Sequence, residues 1–167
     1  MRFFNRDRIV NFIGGIMFAA IILCFALQGL ADAKVVRAKN DEITNVINKA
    51  IPILYEKESS SGKNKNDGDN GKAIGPFQIW EIYWQDAVNC DKSIGGNYQD
   101  CRKYEYAEKI VKAYLRCYIN KENPTIKDAC YLHNAGPGRG KHSIKAKQRV
   151  ADYWRDCQRI MKEKNIN

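Results

Sequence analysis

The mature part of the chain is patterned in alternating stretches of helical periodicity and turn-rich polarity. Ile43, Val46, Ile47, Ala50, Ile51 and Leu54 recur at three- and four-residue spacing, with Asp41 as a possible N-cap, and predict an amphipathic helix. Pro52 falls inside that pattern. It lacks a backbone donor, so a kink or a restart is expected there. The helix should end near Glu58, where Ser59, Ser60, Ser61 and Gly62 follow. Residues 62–74 are then rich in Gly, Asn and Asp, and "NDGDNG" signals a turn, fitting a small hairpin or an irregular loop. Phe77, Ile79, Trp80, Ile82, Tyr83 and Trp84 are too apolar for a loop and predict the opening of a short buried helix. A second loop spans Asn89–Cys101, with Gly95 and Gly96 at its turn. Ala107, Ile110, Val111, Tyr114, Leu115 and Tyr118 form one apolar helix face. A shorter helix should start at Asn123-Pro124-Thr125, with Pro in its first turn. A glycine-rich loop covers His133–Ser143, and Val150, Trp154, Cys157, Ile160 and Met161 mark a last helix. About five helices and one segment able to hold a small sheet give a mainly helical α+β class. No internal repeat is present.

The N-terminus is patterned differently. "MRFFNRDR" carries Arg2, Arg6 and Arg8, the apolar run Ile9–Leu30 follows, and Ala31-Asp32-Ala33 supplies small residues at a cleavage site. Residues 1–33 therefore read as an export signal. The alternative is an uncleaved membrane anchor, since the run is long enough to span a bilayer. This divides the chain into a leader, 1–33, and one domain, 34–167. The leader holds three of the 28 basic and two of the 19 acidic residues, so 25 and 17 remain and the domain carries +8. A cationic, exported surface suits anionic partners such as a bacterial cell wall; export makes nucleic acid the least suited. Contact with a membrane is expected only if the leader stays uncleaved. Secretion also means an oxidising compartment, so disulfides are expected among Cys90, Cys101, Cys117, Cys130 and Cys157. No Cys-x-x-Cys spacing occurs, no metal site is expected, and no cofactor is called for.

The chemistry in the pattern is carried by carboxylates. Glu58 sits at a helix C-terminus, where partial negative charge and apolar neighbours both disfavour the ionised form. A carboxyl kept protonated near neutral pH can donate a proton to a leaving oxygen. Asp67 and Asp69 lie in an amide-rich loop that favours the ionised form. One acid held protonated and one ionised is the division of labour that glycosidic cleavage uses. Glu56 is the rival acid, but it stands two residues from Glu58 and points to another side of the helix. The bland reading of Glu58 is a solvated helix-end residue.

A run of motifs in one order narrows this. Glu58-Ser59, Asp69-Asn70-Gly71, Gly75-Pro76-Phe77-Gln78-Ile79 and Tyr83-Trp84-Gln85-Asp86 are followed by "IGGNYQDC", "AYLRCY", "YLHNAGPGRGKHS" and "DYW". Over about residues 42–157 the sequence resembles the lysozyme superfamily, most closely the invertebrate-type (destabilase-like) lysozymes and their bacterial relatives. The resemblance implies a lysozyme-like α+β fold and cleavage of the β-1,4 bond between N-acetylmuramic acid and N-acetylglucosamine in bacterial peptidoglycan. It implies Glu58 as general acid and Asp69 as nucleophile, with Asp67 in that place if the loop alignment slips. Members of this type retain configuration, which implies carboxyl groups roughly 5–5.5 Å apart. Gln78, Tyr83, His133 and Asn134 are implied as cleft-lining, substrate-binding residues. Some members also cleave isopeptide bonds through a histidine at the His133 motif with a serine; the competing role is that His133 and Asn134 shape the cleft. Trp80, Trp84 and Trp154 are expected in the core rather than as sugar platforms. Departures from the family pattern are Ser60 and Ala135, which stand where glycines are usual, and the missing cysteines. Cys90 and Cys101 occupy roughly family positions, which implies a bridge between them. Two other outcomes stay open: a lytic transglycosylase using one Glu, and a cationic wall-binding protein that kept the fold and lost the chemistry.

Overall fold

The structure, a computed structural model, describes residues 6–138 and 143–166, with side chains described from residue 28 onward. The leader expected over 1–33 and the loop expected over 133–143 thus fall partly outside the described residues. The chain divides into two units, Met1–Asn40 and Asp41–Asn167. The first is helical from Arg6, and its Leu30, Val35 and Val36 are exposed. Among the residues whose side chains are described, no helix is long and apolar enough to cross a membrane; the side chains of most of the apolar run Ile9–Leu30 are not among them. The second unit has the lysozyme-like α+β fold, with a small two-stranded hairpin among helices.

Helix α1 spans Arg6–Ser59, and within the second unit its buried face is Ile43, Ile47, Ala50, Ile51 and Leu54. Pro52 brings no restart. The helix runs through it to Ser59, flanked by the buried Ile51 and Ile53. Burying such side chains is worth about 1.5–3 kcal/mol each, enough to offset one forfeited backbone hydrogen bond. The end of α1 is made by Ser59, whose buried hydroxyl donates to the Tyr55 carbonyl (3.1 Å) and accepts from the Gly62 amide (3.0 Å). Ser60, Ser61 and Gly62 then turn the chain in left-handed conformation, with φ of 51°, 54° and 79°.

Strands β1 (Ala73–Ile74) and β2 (Ile79–Trp80) pair antiparallel, Ala73 opposite Trp80 and Ile74 opposite Ile79. The apolar stretch from Phe77 is therefore a turn and a strand before helix α2 (Glu81–Cys90) begins, not the start of that helix. The cause is backbone conformation: Gly75 (φ 73°) and Gln78 (φ 49°) close a tight turn. At Gly75 a Cβ would run into the Cys101 carbonyl, so this close approach admits only glycine. Phe77 fills the space beneath, fully buried against Tyr55 and Tyr104.

Helix α3 (Tyr104–Tyr118) presents the predicted face, with Ala107, Ile110, Val111, Tyr114 and Leu115 buried. It packs on α2, where Tyr83 and Tyr114 stack with centroids 3.7 Å apart. The disulfide is Cys90–Cys117, not Cys90–Cys101. It joins the last residue of α2 to the last turn of α3, where the two Cα atoms stand 6.1 Å apart. Cys101 is instead fully buried in the short helical turn Tyr98–Arg102, and burial pushes its thiol up to about 12. Helix α4 (Ile126–Ala135) starts two residues later than Pro124 in its first turn would require: Thr125 is the N-cap, accepting from the Asp128 amide (3.0 Å). Helix α5 (Ile144–Glu163) packs on α4, with Val150, Tyr153, Cys157 and Ile160 inward.

Candidate active site

Glu58 occupies the last turn of α1, with its side chain 19 % exposed. Its Oε1 accepts a hydrogen bond from the Tyr153 hydroxyl at 2.5 Å. His133 Nε2 lies 3.8 Å from the same oxygen. Burial raises the Glu58 pKa above the ordinary carboxylate value; the Tyr153 hydrogen bond and the Lys57 charge oppose that, and the negative charge of Asp69 adds to it. Lys57 is itself held away from Glu58, in an ion pair with Asp156 at 2.6 Å and over the face of the Tyr153 ring.

His133, on α4, is 4 % exposed and neutral: burial lowers its pKa to about 4. Its ring is fixed on both sides. Nε2 is 3.1 Å from the Phe77 carbonyl, so it carries the hydrogen, and Nδ1, 3.2 Å from the Tyr83 hydroxyl, accepts. Among the described residues no serine bonds either nitrogen. Tyr83 is buried behind His133 rather than on the cleft surface, where it meets the imidazole edge-on and holds its tautomer.

The opposite wall is the loop and hairpin. Asp69, Asn70 and Gly71 form one left-handed turn, with φ of 47°, 56° and 85°. For a non-glycine such φ costs about 1–2 kcal/mol, which Asn and Asp tolerate best. Gln78 pins this loop: its Oε1 accepts from the Gly68 amide (2.8 Å) and its Nε2 donates to the Asn66 and Gly75 carbonyls (3.1 and 3.0 Å). Asp67 points elsewhere, in an ion pair with Arg102 at 2.7 Å that holds its carboxyl below the ordinary range. Glu56 is likewise engaged outside the cleft, by Ser61 and Lys164.

Between the walls is a cleft of about 210 Å³ lined by Glu58, Gly68, Asp69, Ala73, Gln78, Trp80, His133 and Asn134. A second depression of about 310 Å³ shares Asp69, Trp80 and Asn134 and runs on to Arg149 and Val150 of α5. Of the sequence-derived candidates, Glu58, Asp69, Gln78, His133 and Asn134 thus share one cleft, and Tyr83 stands behind it. Glu58 reaches this cleft from residues before the turn-rich loop, and Asp69 from within it.

The order of these residues along the chain and their convergence agree with one family. A family model described as Destabilase matches residues 51–163. The chain belongs to the Destabilase family, the invertebrate-type lysozymes. No curated protein and no solved structure matches it. The Destabilase family is a lysozyme-like glycoside hydrolase family, which supports an enzyme in general terms. Among the described residues no group of three or more His, Cys, Asp or Glu is placed to hold a metal ion.

Two residues, one lining the cleft and one behind it, were not legible as such in the sequence. Trp80 was expected in the core, yet it is 42 % exposed and lines both depressions, because β2 turns alternate residues in and out and Ile79 takes the inward place. Trp84 and Trp154 pack against the core as expected. Tyr153 lies 95 residues from Glu58. A signal for it did exist. Val150, Tyr153 and Cys157 share the inward face of α5, and a buried tyrosine hydroxyl needs a partner.

Proposed function

We propose that this protein is a secreted lysozyme that hydrolyses the β-1,4 bond between N-acetylmuramic acid and N-acetylglucosamine in peptidoglycan. One observation carries the reading: a largely enclosed carboxyl, Glu58, whose pKa is raised, shares a narrow cleft with a second carboxylate, Asp69, on the facing loop. In the first step Glu58 gives its proton to the glycosidic oxygen while Asp69 attacks the anomeric carbon from the opposite face, and the leaving sugar departs. In the second, Glu58, now ionised, takes a proton from water, which displaces Asp69 and restores both groups. Configuration is retained. Tyr153 donates to Glu58 throughout, steadying the carboxylate form made in the first step. His133 stays neutral and shapes the wall beside it, a role supported by the engagement of both ring nitrogens. The exposed Trp80 offers a sugar platform at the mouth. The cationic surface would hold the enzyme to an anionic wall.

The test is analysis of peptidoglycan fragments by mass spectrometry after digestion. The reading expects free reducing ends on muramic acid, and none after Glu58→Gln. A 1,6-anhydro product would replace hydrolysis by transglycosylation. Killing of cells without any new sugar ends, unaffected by Glu58→Gln, would replace it by cationic binding.

A further inference from the structure

A cavity larger than either depression of the carboxylate cleft lies away from it. It is a groove of about 820 Å³ where the end of α2 and the loop after it face α3. Lys109, Lys112 and Arg116, at i, i+3 and i+7, form one face of α3, and Lys121 extends the row beyond the helix. Opposite them the groove has one acid, Asp91, whose carboxylate is already engaged by the Ser93 amide and hydroxyl. Lys112 is paired along the helix with Glu108 at 2.7 Å, and Arg116 donates to Thr44 at 3.1 Å. Lys109 and Lys121 form no ion pair among the described residues, and both are exposed. The Cys90–Cys117 disulfide lines the groove and ties its two sides together, while α3 itself sets the spacing of Lys109, Lys112 and Arg116.

We propose that this groove is an anchoring site for a phosphodiester polymer, a phosphate-bearing chain of the cell wall, distinct from the cleft that cuts the glycan. The proposal rests on the reading of the protein as a wall lysozyme for the source of the polymer, but not for the existence of the site. Three features favour this ligand. Several lysines around one arginine match spaced phosphates, which lysine binds as a point charge. No Trp, Tyr, Phe or His lines the groove, so neither neutral sugars nor nucleobases find a ring to stack on. The cations are set in a row along a helix rather than clustered at one point, which suits a chain rather than a single ion.

Binding is measured by calorimetric titration of the full chain carrying Glu58→Gln, which removes hydrolysis from the readout, with a poly(glycerol phosphate) oligomer. Lys109→Gln/Lys121→Gln on that background should weaken binding about tenfold. It should also flatten the slope of log affinity against log salt by about one per lysine removed. Lys127→Gln/Lys162→Gln, an equal charge change outside the groove, should do neither. In the otherwise native protein, the groove variant should leave turnover of a neutral chitooligosaccharide unchanged. Equal losses from both pairs would mean diffuse surface charge and overturn the site. No loss from the groove pair would also overturn it. A polycarboxylate such as polygalacturonate, or an oligothymidylate, bound as tightly and with the same dependence on Lys109 and Lys121, would overturn the phosphate-polymer assignment. A chain that binds the polymer this way yet never cuts glycan would overturn the lysozyme reading alone.

Discussion

The two walls of the cleft hold their acids by opposite means. On the helix wall Glu58 is largely withdrawn from water, fixed by one short hydrogen bond from Tyr153 and bordered by a neutral, doubly tethered His133. On the loop wall Asp69 is exposed at a left-handed turn, and its position comes from backbone geometry and from Gln78 pinning the loop. The helix wall withdraws most of its carboxyl from water, and the loop wall leaves its carboxyl exposed. A fold that must keep one carboxyl protonated beside another that stays charged can do so by placing them on surfaces of different burial.

The comparison breaks most sharply at Glu58. Glu58→Gln should lower kcat by about 10²–10⁴-fold. The same variant should be more stable than the native protein at neutral pH. A buried glutamate with a raised folded-state pKa loses its stabilising contribution as pH rises through that value, and Gln carries no such penalty. The advantage should shrink as pH falls, and thermal melts across pH 4–8 would check it. On the loop wall, Asp69→Asn should cost on the order of 10²–10³-fold in kcat. Asp67→Asn loses only a half-exposed ion pair with Arg102 and should change activity little, with a stability cost of at most about 1 kcal/mol. Initial rates on cell-wall suspensions rank the two; the reverse order would move the nucleophile to Asp67.

His133 gives the next effect. Its folded-state pKa is about 4 against an ordinary 6.5. The unfolded chain therefore takes up a proton that the native site refuses. Stability should fall as pH drops from 6.5 to 4, by roughly 3 kcal/mol in all. Glu58 pulls the other way as the pH falls, so the His133 contribution is isolated by the difference from His133→Gln. That variant should lose the acid-side decline in urea titrations, at the cost of its own repacking. The smallest effect lies where the chain departs from its family. Ser60 takes a glycine's place at φ 51°, and Ser60→Gly should stabilise by about 1 kcal/mol with activity unchanged.

What could be read from the sequence follows from the range of the interaction. The inward face of α3, the end of α1 beside Glu58 and the turn around Asp69 are local patterns, and local spacing reveals them. The stretch Phe77–Trp80 is local too, but a short apolar run has no period long enough to tell strand from helix, and the turn at Gly75 decided it. Long-range pairings left little trace. The Cys90–Cys117 bridge depends on how α2 packs on α3, and spacing alone could not choose it over Cys101. Tyr153 meets Glu58 only because α5 returns across the end of α1. The family motifs marked the cleft's acids more clearly than the groups that tune them.

The titration of Glu58 itself tests the account most directly. With the glutamate side-chain carboxyls labelled with carbon-13, Glu58 is assigned by its loss in Glu58→Gln and followed by NMR from pH 3 to 9. The account expects a midpoint above the ordinary glutamate value of about 4.5, because burial dominates. It expects a lower midpoint in Asp69→Asn, which removes a neighbouring negative charge, and a higher one in Tyr153→Phe, which removes the hydrogen bond favouring the ionised form. A Glu58 midpoint at or below 4.5, unmoved by either change, would contradict the division between the two walls and with it the assignment of Glu58 as the acid.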